Sequence, residues 1–97
     1  MQFITEAKEI NTAGKSILYF YTPELFQHKK ILSLLDSIPN PHIKIYAIDF
    51  NYFPNLKIKG ANQLPTVIYR AYNKNQIVLA GLQCTLEFEK LLTVSGD

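Results

Sequence analysis

The sequence contains no tryptophan and a single cysteine, Cys84. One thiol cannot close an internal disulfide, and a structural zinc site draws on several cysteine or histidine ligands, so neither staple is available to the chain. A lone thiol fits a reducing compartment. No stretch reaches the roughly 18 apolar residues of a membrane helix. The opening Met1-Gln2-Phe3-Ile4-Thr5-Glu6 lacks the basic and apolar regions of a secretion signal. These absences predict a cytoplasmic protein with no membrane association. Charge of one sign is also scarce. The net charge is +2, the lysines are scattered, and Lys29-Lys30 is the only tight basic pair. A duplex-binding module would carry a denser basic stripe, so nucleic acid is not an expected partner.

What is present suits one packed core. The 97 residues are 47% hydrophobic and 19% charged, which is far from a disordered composition and predicts a single domain over residues 1–97. There are no repeats, and Gly14-Lys15, Pro39-Asn40-Pro41 and Asn73-Lys74-Asn75 punctuate the chain without forming a linker.

The periodicity predicts an alternation of strands and helices. Residues 5–12 read as a short helix, capped by Thr5 and ended by Gly14. Ser-Ile-Leu-Tyr-Phe-Tyr over 16–21 reads as a strand covered on both faces. Thr22-Pro23-Glu24 carries the signals of a helix start: a capping hydroxyl, a proline for the first helical position and an acid for the dipole. Ile31, Leu34, Leu35 and Ile38 then follow at helical spacing, until Pro39 stops the run. Residues 43–50 read as a second strand, 54–59 as a short helix ended by Gly60, and 66–71 with 76–80 as an antiparallel hairpin. A last amphipathic helix covers 85–93, with Leu86, Phe88, Leu91 and Leu92 available to bury. The order is α/β: a central mixed sheet of four to five strands with helices on both faces.

Leu64-Pro65-Thr66 stands immediately before the first hairpin strand. A glycine-ended helix, a short link, then an apolar residue, proline and threonine opening a strand resembles the thioredoxin family. Leu18-Tyr19-Phe20-Tyr21 resembles that family's central strand, Ile48-Asp49 its acid-ended next strand, and Gly81 the glycine after its hairpin. The resemblance extends over residues 3–94. It implies the thioredoxin fold, and it implies that Pro65 is cis and faces the family's active corner. In the family, the backbone exposed beside that proline pairs with an extended peptide.

The same alignment sets Leu25-Phe26-Gln27-His28 on the family's Cys-x-x-Cys motif, and Tyr19 on its buried acid. Thiol–disulfide exchange needs an attacking thiolate and a resolving thiol, and neither stands there. The chain therefore reads as a binder rather than an enzyme, with no catalytic residue, metal or cofactor implied. Its expected contact residues are Tyr21, Leu25, Phe26, His28, Leu64, Pro65 and Thr66, and its expected partner is a protein or peptide. His28 by itself reads as a solvated helix histidine, since His42 and Cys84 are not at ligand spacing from it. A second reading is a monothiol oxidoreductase acting through Cys84. A third is a structural complex subunit or a homodimer joined through the uncharged edge at 76–80.

Overall fold

The apolar run 16–21 becomes the strand about which the others are arranged. A computed structural model describes residues 1–11, 13–55 and 64–95. In chain order these form β1 (Gln2–Ile4), β2 (Lys15–Tyr21), α1 (His28–Asp36), β3 (Lys44–Asp49), β4 (Thr66–Ala71), β5 (Lys74–Ala80), α2 (Gln83–Leu86) and α3 (Glu89–Ser95). The sheet order is β1-β3-β2-β4-β5. β1 and β2 run parallel to β3, whereas β4 is antiparallel to β2 and β5 to β4. No helix among the described residues is long and apolar enough to cross a membrane.

Alternation along the strands builds two cores. Ile17, Tyr19, Tyr21, Ala47, Val67, Tyr69 and Leu79 face one layer, where Ile31 and Leu35 of α1, Cys84 of α2, and Phe88 and Leu91 close over them. Leu18, Phe20, Tyr46, Ile48 and Ile68 face the other with Ile4, flanked by Ile10, Phe50, Phe53 and Leu64. Among the described residues all three α-helices lie on the first face. The expected helix over 54–59 falls largely outside the described residues.

Several boundaries differ from the sequence reading. The helix expected over 5–12 is absent from its described residues, 5–11. Gln2–Ile4 is a strand instead, followed by a single 3-10 turn at Ala7–Glu9. The carboxylate of Glu9 closes that turn by accepting from the Thr5 hydroxyl (3.0 Å) and the Glu6 amide (3.1 Å). The hairpin turn is Tyr72-Asn73, both at positive φ (55° and 64°), the geometry of a two-residue type I′ connection, so β5 starts at Lys74. The last helix is broken at Glu87, and the stripe it buries is Cys84, Phe88 and Leu91. Leu86 and Leu92, expected in the core, are exposed.

Leu35 is fully buried beneath the sheet. Leu35→Ala should cost about 2–5 kcal/mol, read as a lower denaturant midpoint at unchanged slope. Ser16 offers the opposite case. Its hydroxyl is buried with no hydrogen-bond partner among the described residues. Ser16→Ala should be neutral or stabilising by up to about 1 kcal/mol, and a clear loss of stability in the same experiment would mean that the hydroxyl has a partner after all.

Candidate functional site

Register brings the expected contact segments to one rim of the sheet. Phe20 pairs with Thr66 and Tyr21 with Asp49. The chain leaving β2 therefore runs beside the chain leading into β4, at the carboxyl ends of β2 and β3, where open α/β sheets commonly hold ligands. The Leu64–Pro65 peptide bond is cis. The Pro65 carbonyl accepts from the Gly81 amide at 2.8 Å, and Gly81 sits at φ 60°, a conformation glycine adopts without a Cβ penalty.

The Thr22-Pro23-Glu24 start signal does not begin the helix. Two successive turns come first, closed by Leu25 N–H to the Thr22 carbonyl (3.2 Å) and His28 N–H to the Leu25 carbonyl (3.0 Å), and α1 begins at His28. Packing explains the delay. Leu25 packs against the helix-side core and Gln27 is buried. Residues two apart on a regular helix point about 200° apart, so both could not face inward. The buried Gln27 carboxamide accepts from the Thr85 hydroxyl at 3.1 Å, which ties the turn to α2.

His28 is a correction to the sequence reading. It is not a solvated helix residue. Its Nδ1 lies 2.9 Å from the Tyr19 hydroxyl, and its ring stacks on Tyr21 with centroids 4.5 Å apart and planes at 16°. Tyr19 and Tyr21 stack in turn at 4.8 Å. The resemblance aligns Tyr19 with the family's buried acid and His28 with the last motif position, and in the structure these two positions bond to each other. Tyr19 is fully buried, and burial pushes its phenol far above the usual range, so it stays protonated. When the phenol donates to Nδ1, the neutral ring carries its own proton on Nε2. Burial also lowers the pKa of His28, against an opposing pull from Asp49. Burial, followed by Asp49 and Tyr52, raises that of Tyr21.

The other expected residues separate. Tyr21, Pro65 and Thr66 are buried. Leu25 and Leu64 are half-buried against opposite cores. Only Phe26 projects fully, 85% exposed. Two further exposed leucines were missed by the sequence reading. Leu82 and Leu86, 59% and 73% exposed, are four apart at α2, the helix that the Gln27–Thr85 bond ties to the turn carrying Phe26. Their signal was the phase of the helix. Once Cys84 is inward, residues 82 and 86 cannot be. Among the described residues no group of three metal-ligating side chains occurs.

Cys84 is enclosed. Its sulfur lies 3.3 Å from the Leu79 carbonyl and 3.4 Å from the Pro65 carbonyl, and burial pushes the thiol up to about 11. At neutral pH it is a thiol, not a thiolate nucleophile. An aromatic disulfide reagent should label it slowly in the native protein and at once in denaturant. Fast native labelling would restore the thiol reading. For His28, the sign of the shift fixes a pH effect. The folded pKa lies below the unfolded value of 6.5, so the unfolded chain takes up the proton first. Stability should be level above about pH 6.5 and fall as pH drops below it. His28→Gln should flatten that segment of a urea-midpoint profile.

No protein-family model matches the chain, and no curated protein does. Solved structures do resemble it. Thioredoxin from Malassezia sympodialis superposes with a TM-score of 0.76 at 15% identity, covering 99% of this chain and 90% of that one. Desulfothioredoxin from Desulfovibrio vulgaris Hildenborough gives 0.75 at 23% identity, with 97% and 96% covered. Thioredoxin from Plasmodium falciparum gives 0.75 at 13% identity, with 99% and 98% covered. These superpositions, together with the sheet order described above, show that this chain has the thioredoxin fold.

Proposed function

We propose that this chain is a redox-inactive binding protein that engages a protein or peptide segment at the corner beside Pro65. The observation that carries the reading is the exposure of Phe26, Leu82 and Leu86 on two segments that the Gln27–Thr85 bond ties together near that corner. Three large apolar side chains exposed on linked segments of so small a domain are more typical of a contact surface than of bare exterior. An aromatic residue raised above a packed base is the kind of anchor that dominates binding energy. Leu64, half-buried just before the cis bond, supplies main-chain groups suited to an extended segment. Tyr21, Leu25, His28 and Thr66 act in this reading as the floor and frame beneath the surface.

Disulfide exchange, the chemistry implied by the fold's best-known members, has no cysteine pair here. The enclosure and raised pKa of Cys84 work against a monothiol route as well.

The reading is tested by selecting displayed peptides against the whole chain and measuring the selected peptides on variants. Phe26→Ala and Leu86→Ser should each weaken binding by about tenfold or more, equivalent to about 1.4 kcal/mol, while thermal melting is unchanged. Selected peptides that bind both variants as well as the parent would place the contact elsewhere.

A further inference from the structure

We propose that His28 is a proton-operated latch on this corner: neutral, it holds the Leu25–His28 turn against β2, and protonated, it releases Tyr19 and lets the turn and Phe26 shift. The proposal deepens the binding reading, because it rests on Phe26 being part of the contact surface.

The argument starts from bond polarity. The Tyr19 hydroxyl is buried, and His28 Nδ1 is its only hydrogen-bond partner among the described residues. With a neutral ring the phenol donates and Nδ1 accepts. An imidazolium carries a proton on Nδ1, so two donors would then face each other. The hydroxyl can turn to accept, but its own proton then points into an apolar layer. The Cys84 sulfur, which acts on Tyr19 from within that core, already lies against the Leu79 and Pro65 carbonyls. Leaving a buried hydroxyl unpaired carries its full desolvation penalty, which favours movement of the surface turn.

The surroundings bear on the ring from every side. Burial opposes the charge, as does the N-terminus of α1, where the exposed Lys29 and Lys30 follow. Asp49 at the end of β3 and the face of Tyr21 favour it. Among the described residues Tyr52, Cys84 and Glu24 are the other titratable groups at the corner. Tyr52 acts on Tyr21 and Cys84 on Tyr19, while Glu24 stands exposed in the preceding turn. Release has a defined route. The His28 amide closes the turn on the Leu25 carbonyl, Phe26 stands between them, and Gln27 passes any movement on to Thr85.

The test is made on the free protein by NMR between about pH 5 and 8, so it needs no partner. The His28 ring should titrate below the ordinary histidine value of 6.5. Amide exchange protection at His28, corrected for the intrinsic pH dependence of exchange, should fall with that same midpoint, while protection in β4 stays level. Tyr19→Phe should abolish the pH dependence of the His28 amide and leave that turn weakly protected throughout. Protection that ignores the His28 midpoint, or a His28 ring that titrates at or above 6.5, would overturn the latch. Either result would leave open whether peptides bind at Phe26, and a lack of peptide binding would leave these titrations standing.

Discussion

The position of β2 constrains everything else. It is the strand that pairs with β3 on one side and β4 on the other, parallel and antiparallel respectively. Both of its faces are buried, with Ile17, Tyr19 and Tyr21 entering one core and Leu18 and Phe20 the other. A slip of one residue would exchange those two sets and place two tyrosines where the second core accepts leucine and phenylalanine. The register is thus fixed by shape on both sides. It is also what sets Tyr21 beside Asp49 and Phe20 beside Thr66, so the rim of the sheet inherits its geometry from the core.

Much of the fold was legible in the sequence because its strongest signals are local. β4 was read to the residue, since Pro65 bars the strand from starting earlier and the apolar run ends where the turn begins. β2 and β3 came within a residue or two for the same reason. β1 was not visible. Three residues carry no usable period, and Gln2–Ile4 is a strand only because β3 offers a partner. The start of α1 was misplaced because capping signals at Thr22-Pro23-Glu24 compete with a demand from elsewhere, the burial of both Leu25 and Gln27. In the final helices Phe88 and Leu91 are buried as the pattern suggests, but Leu86 and Leu92 are not, because the small buried Cys84 completes the inward stripe.

The site was legible in outline but not in content. The Leu64-Pro65-Thr66 motif and the resemblance located the corner. They could not show that Leu25 and Leu64 turn to opposite cores, since only the register separates them. The Tyr19–His28 bond joins residues nine apart on different elements, and no periodicity links such positions. The available clue was chemical: a tyrosine where the family keeps an acid, together with a histidine where it keeps a thiol, forms a complementary polar pair. Recognising the pair required treating the two substitutions as one.

One further consequence follows from the bond between Gln27 and Thr85, whose partners are 58 positions apart in the sequence. During synthesis the first strand–helix–strand segment leaves the ribosome well before residue 85. Until then the buried carboxamide of Gln27 lacks the hydroxyl that satisfies it. The Leu25–His28 turn is therefore fastened last, when α2 docks. A nascent or truncated chain would hold most of the sheet without the tie between that turn and α2.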